Sequence, residues 1–160
     1  MPELGWVKLN LDGAFRGNPG VSGAGGIIRD HFSQVILAYY ESLGFSTNMM
    51  TKLQGMLRGI QLCFERSLFH VWVEVDAMHV IQLISKQSKG TWHLQTLLIK
   101  IRKHLSLLEG KLTHIFREGN QAADFLAKLG CLVDALTIRN NDQLQHKITG
   151  IVKLDRFCFP

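Results

Sequence analysis

Cysteine is scarce in this chain. Cys63, Cys131 and Cys158 are too few and too scattered for a disulfide framework or a zinc site. Long apolar runs are absent too: none approaches the ~18 residues of a membrane span. The start, Met1-Pro2-Glu3-Leu4, lacks the basic-then-apolar opening of a secretory signal. Together these absences point to an intracellular protein with no membrane partner, nucleus and cytoplasm being equally compatible. No repeat or low-complexity tract interrupts the 160 residues, enough for one ordinary domain with a buried core. Acidic residues are in deficit: 13 Asp and Glu against 18 Lys and Arg leave a net charge of +5. A basic surface attracts polyanions, because each neutralised phosphate releases counterions. Many proteins that never meet nucleic acid carry a similar charge, so this alone decides nothing.

What is present begins with Val7-Lys8-Leu9-Asn10-Leu11-Asp12-Gly13-Ala14-Phe15. Its apolar residues alternate, the period-two pattern of a half-buried strand, and Asp12 falls on the other face. Strands are predicted over Trp6 to Phe15, Ala24 to Asp30 and Gln34 to Glu41, joined by a Gly17-Asn18-Pro19-Gly20 turn and an Asp30-His31-Phe32-Ser33 loop. Thr47-Asn48 reads as a helix start. Leu53, Met56, Leu57, Ile60 and Phe64 follow at helical spacing to about Arg66. Gly55 and Gly59, four apart, weaken an isolated helix by about 1 kcal/mol each and suggest close packing on the sheet. His70 to Val75 is a fourth strand ending at Asp76. A short helix from Ala77 and a longer one carrying Leu94, Leu98 and Ile101 come next, with Lys100, Lys103 and His104 outward. Lys111 to Phe116 is a fifth strand, and Asn120 to Leu129 a closing helix. Beyond Gly130 the pattern weakens into a tail, 131–160, packed on the body. The histidines show no paired ligand spacing.

Asp12 in a strand, Asp76 at a strand end and Asp124 at a helix start are carboxylates that a fold can converge, and hard divalent cations require converging carboxylates. At the same residues the chain resembles the ribonuclease H family, in particular the plant, retroelement-derived ribonuclease H-like type. The matching segments are Leu9-Asn10-Leu11-Asp12-Gly13-Ala14, Gly17-Asn18-Pro19-Gly20, Ala24-Gly25-Gly26-Ile27-Ile28-Arg29-Asp30, Thr47-Asn48 and Val73-Glu74-Val75-Asp76. They end with Arg117-Glu118-Gly119-Asn120-Gln121-Ala122-Ala123-Asp124-Phe125-Leu126-Ala127. The resemblance covers residues 5 to 130. It implies an α/β ribonuclease H-like fold, a five-stranded mixed sheet flanked by helices. It also implies Mg²⁺-dependent cleavage of the RNA strand of RNA–DNA hybrids, with Mn²⁺ as the alternative ion, by a monomer.

That family uses four acidic residues on two metal ions. The resemblance assigns three of them, as metal ligands and catalytic residues, to Asp12, Asp76 and Asp124. The fourth, a glutamate in the pattern Thr-Asn-x-x-Ala-Glu-Leu, meets Thr47-Asn48-Met49-Met50-Thr51-Lys52-Leu53. Lys52 stands at the glutamate position. An ammonium there competes with Mg²⁺ for the same oxygens: at about 4 Å and an effective dielectric near 20, each Asp–Lys pair is worth about 4 kcal/mol. The alternative is that the lysine stem carries its charge out to solvent. Asn18 and Asn48 match positions that contact the hybrid's minor groove, where 2′-hydroxyls distinguish RNA from DNA. Arg117 lies in the loop where bacterial relatives carry a catalytic histidine, and with Lys100 and Lys103 it is a candidate phosphate contact. The Lys52 departure weakens the metal expectation. It makes a decayed nuclease that still binds nucleic acid, or a protein-interaction module using the 131–160 tail, the rival readings.

Overall fold

The computed structural model describes residues 1–17, 19–85, 91–144 and 146–158, of which 154–158 are described by backbone alone. Three antiparallel strands open the chain: β1 (Val7–Gly17), β2 (Gly20–Arg29) and β3 (Val35–Ser46). Val7, Leu9 and Leu11 are buried as the alternation predicts. The β1–β2 ladder continues to a Gly17–Gly20 pair, so both strands outrun their apolar pattern. A Cβ on Gly20 would lie 1.8 Å from the Arg16 carbonyl oxygen, so this corner admits only glycine. At the β2–β3 turn, Asp30 Oδ1 accepts from the Phe32 and Gln34 amides. There Ser33 takes a left-handed φ of 61°.

β4 (Val71–Val75) lies parallel beside β1, and β5 (Lys111–His114) parallel beside β4. A sixth strand, β6 (Thr137–Arg139), pairs with the far edge of β3, giving the order β5-β4-β1-β2-β3-β6. The expected five strands are therefore six. β6 is three residues long and too short to show an alternation of its own; the open backbone of β3 supplies its partners.

Helices cover both faces. α1 (Asn48–Glu65), α2 (Met78–Ser85) and α3 (Trp92–Leu107) form the larger core with β1 and β4, burying Leu53, Met56, Ile60, Val80, Leu98 and Ile101. On the other face α4 (Gln121–Gly130) and α5 (His146–Cys158) pack Ala122, Leu126, Ile148 and Val152 against Ile27, Ala38 and Tyr40. Residues after 130 thus contribute a strand and a helix to the body. α1 rides close to the sheet on its two glycines. A Cβ at Gly55 would stand 2.9 Å from Ala24 Cβ, and one at Gly59 2.5 Å from the Tyr39 hydroxyl. That hydroxyl donates to the Gly55 carbonyl at 2.9 Å. The helix-propensity cost of the glycines is offset by an approach that sets Lys52 over β1.

Candidate active site

Asp12 occupies the interior of β1, where its neighbour Gly13 faces α1. A Cβ on Gly13 would meet Thr51 Cγ2 at 2.7 Å, so glycine is what lets the first turns of α1 settle here. Those turns are fixed by Thr47, whose side chain accepts from the Met50 amide and whose carbonyl accepts from the Thr51 hydroxyl at 2.7 Å. Lys52 follows Thr51 and points at the two aspartates. Its ammonium donates to Asp12 Oδ1, and to Asp76 Oδ1 at 3.0 Å. The Lys52, Asp12 and Asp76 side chains are only 9%, 4% and 5% exposed. The lysine stem does not carry its charge to solvent; it seals the charge between two carboxylates.

The Gly13 amide also donates to Asp12 Oδ1 at 2.8 Å. At the rim, Arg117 Nε stands 3.9 Å from Asp76 Oδ2 on a side chain that is 83% exposed. Burial, the largest influence, pushes the Asp12 carboxyl above its ordinary range, and the Lys52 charge and hydrogen bond pull it back only in part. For Lys52, burial is again the largest single influence and acts downward. The combined charges and hydrogen bonds of Asp12 and Asp76 outweigh it and hold the ammonium above its ordinary range. Lys52 is therefore a fixed cation near neutral pH, unable to serve as a base.

The other motif residues divide. Asp124 lies in the first turn of α4, but its Oδ2 accepts from Lys128 Nζ at 2.6 Å, one turn along the helix. Asn48 opens α1 half-buried, and its Oδ1 has no partner. Asn18 lies outside the described residues. Lys100 and Lys103 are exposed on α3; Lys100 borders a cleft with Glu41, Gln54, Arg58 and Leu97, a set that includes no member of the Lys52 cluster. Asn120 is a residue that the carboxylate pattern does not select. It is buried in the short 3₁₀ turn Arg117–Asn120, donates to the Leu11 carbonyl at 3.0 Å and so ties the start of α4 to β1 beside Asp12. Its only signal in the sequence is its place in the Arg117–Ala127 block.

A hard divalent cation needs several oxygen ligands. Among the described residues no group of three or more His, Cys, Asp or Glu stands close enough to hold a metal ion. Lys52 fills the space between Asp12 and Asp76, and Asp124 bonds to Lys128 instead of joining them. This donor set does not fit Mg²⁺ or Mn²⁺. Chemically the arrangement is a neutralised pocket: one buried cation against two carboxylates, with a second cation at the mouth.

A family model described as reverse transcriptase-like matches residues 10–130. A candidate ribonuclease H protein of Arabidopsis thaliana is 30% identical over 128 residues, covering 79% of this chain and 20% of that protein. Ribonuclease HI of Halobacterium salinarum is 25% identical over 129 residues, covering 77% and 63%. The chain therefore spans about a fifth of the first relative and under two thirds of the second. Among solved structures, RNase H1 of Halobacterium salinarum superposes with a TM-score of 0.74 at 20% identity, covering 78% of this chain and 96% of that one. LC11-RNase H1 in complex with an RNA/DNA hybrid superposes with a TM-score of 0.71 at 23% identity, covering 78% and 96%. These likenesses fix the fold.

Proposed function

Because the chain belongs to the reverse transcriptase-like family and carries the ribonuclease H fold, we propose that it is a ribonuclease H-type domain that binds RNA–DNA hybrids and has lost metal-dependent cleavage. The observation that carries this reading is the Lys52 ammonium bonded to Asp12 and Asp76. In this reading the internal cation does the neutralising work that divalent ions do in two-metal sites, without supplying an activated water. Binding then needs no metal. The half-buried Asn48, at a position the family pattern assigns to the minor groove, and Arg117 at the rim, as a phosphate contact, are the hybrid contacts, with the monomer as the working unit. A retroelement origin fits the Arabidopsis relative, of which this chain matches one segment.

The test pairs the chain with Lys52→Glu, which restores the family's acid. The unaltered chain is expected to bind a hybrid with affinity that falls steeply with salt, as phosphate contacts demand, and to cleave it barely. Lys52→Glu is expected to gain a Mg²⁺-dependent rise in Tm and at least about tenfold in cleavage, which needs about 1.4 kcal/mol of transition-state stabilisation. Robust Mg²⁺-dependent cleavage by the unaltered chain sinks the proposal.

A further inference from the structure

Cross-strand register assembles a row that the carboxylate site does not use. Arg29, Lys8, Trp72 and Lys111 are direct partners on β2, β1, β4 and β5, and in-register partners share a face of the sheet. It is the face of Asn10 and Ile27, on which α4 packs across β1, β2 and β3. Toward β4 and β5 that face opens: Trp72 is half-buried, and Lys111 and Thr113 are exposed. Trp72 Nε1 donates to Thr113 Oγ1 at 2.6 Å, which holds the indole in place. Lys8 Nζ stands 4.2 Å from the Trp72 ring centroid, and Lys111 Nζ 4.3 Å from that of Trp6. With Met1 and Glu3, the residues Trp6, Trp72, Lys111 and Thr113 line a cleft of about 200 Å³.

Two indoles interleaved with cations are what a flexible polyanion carrying flat bases would meet well. The row spans three strand spacings, about 14 Å, long enough to track a backbone rather than hold one ion. Acids stand beside both of its lysines. Glu74, 3.2 Å from Lys8, is buried and also accepts from Asn10, while Glu3 is an exposed partner 3.9 Å from Lys111. We infer that this row is a docking surface for single-stranded nucleic acid, with bases stacking on Trp72 and Trp6 and phosphates meeting Lys8 and Lys111. Lys8 and Asp12 are four residues apart on β1, about 13 Å, so the surface is distinct from the carboxylate pocket.

Fluorescence anisotropy with a labelled oligothymidylate of about 12 nucleotides, within the site sizes of single-strand binders, tests it. Trp72→Ala is expected to weaken binding at least about fivefold, and Trp72→Phe, which keeps a stacking face, less than about twofold. Lys111→Glu, on a side chain half in solvent that threatens no core, is expected to weaken binding and to flatten the salt dependence by about one phosphate contact. With a hybrid as the probe, Arg117→Ala should lower affinity and Trp72→Ala should not, so this inference and the hybrid-binding reading fail on separate probes. The inference is overturned by no oligothymidylate binding in the unaltered chain. It is equally overturned by binding that Trp72→Ala and Lys111→Glu leave unchanged, the result if the face takes a protein instead.

Discussion

Among the described residues, two Asp–Lys arrangements look alike in a list of charges and differ in every physical respect. Lys52 reaches Asp12 and Asp76 across 40 and 24 residues of sequence and is buried with both of them. Lys128 reaches Asp124 one helical turn away, on side chains 66% and 35% exposed. The first pairing is made by the tertiary fold in a region of low dielectric; the second is made by the helix and stands in water. Removing one member of an ion pair is costly where it strands the other away from solvent, and cheap where water can take the partner's place.

The largest expected effect follows directly. Lys52→Met should strand two facing carboxylates and destabilise the fold by about 3–5 kcal/mol near neutral pH, the range for breaking a buried pair from one side. Denaturant unfolding measures it. The loss should shrink as pH falls toward 4, because Asp12 is already pushed up by burial and, without Lys52, takes a proton more readily. A loss below about 1 kcal/mol would erase the contrast with the exposed pair.

The pH dependence of the unaltered chain sharpens the comparison. The folded state raises the Lys52 pKa above its ordinary 10.5 and so binds that proton more tightly than the unfolded chain does. The stability this contributes is complete below pH 10.5 and is lost as pH rises from there through the folded-state value. Cys63, pushed up to about 12 by burial, and Tyr39, raised well above 10.0 chiefly by burial, also destabilise the fold on the alkaline side. The Lys52 share is therefore the difference between the unaltered chain and Lys52→Met, and that difference should narrow above pH 10.5. A constant gap from pH 8 to 12 would mean that the ammonium does not hold its proton more tightly in the fold.

The contrast also explains what the sequence discloses. Asp12 and Asp76 are readable because strand alternation and strand ends locate them, and the Thr47-Asn48 register places Lys52 near them. Where the ammonium goes is not readable: a four-carbon stem permits solvent or pocket equally. The choice is made by how closely α1 approaches the sheet, which rests on Gly13 against Thr51, Gly55 against Ala24 and Gly59 against Tyr39. Those contacts join distant parts of the chain. Asp124 is read correctly as the start of a helix, while its i,i+4 bond to Lys128 is not anticipated, because two exposed side chains one turn apart have many rotamers open to them. β6 is invisible because three residues carry no period. The row from Arg29 to Lys111 exists only through the pairing of four strands, which no local pattern encodes.

The smallest expected effect belongs to the exposed pair. Lys128→Ala removes the partner of Asp124 without burying a charge, since both groups can be solvated where they stand. Pairs of this kind on helices are worth about 0.3–0.5 kcal/mol and are screened by salt. The substitution should lower stability by no more than about 0.5 kcal/mol, and by less in 1 M salt, where the screening length is about 3 Å. Alanine also has the better helix propensity, which offsets part of the loss. Chemical denaturation at low and high salt measures both figures. The same variant frees the Asp124 carboxylate, and in the Lys52→Glu background it should strengthen the Mg²⁺-dependent rise in Tm if Asp124 can turn toward Asp12. An unchanged Mg²⁺ response would place Asp124 outside the restored site, and a loss above about 2 kcal/mol would show that the pair is held more tightly than its exposure implies.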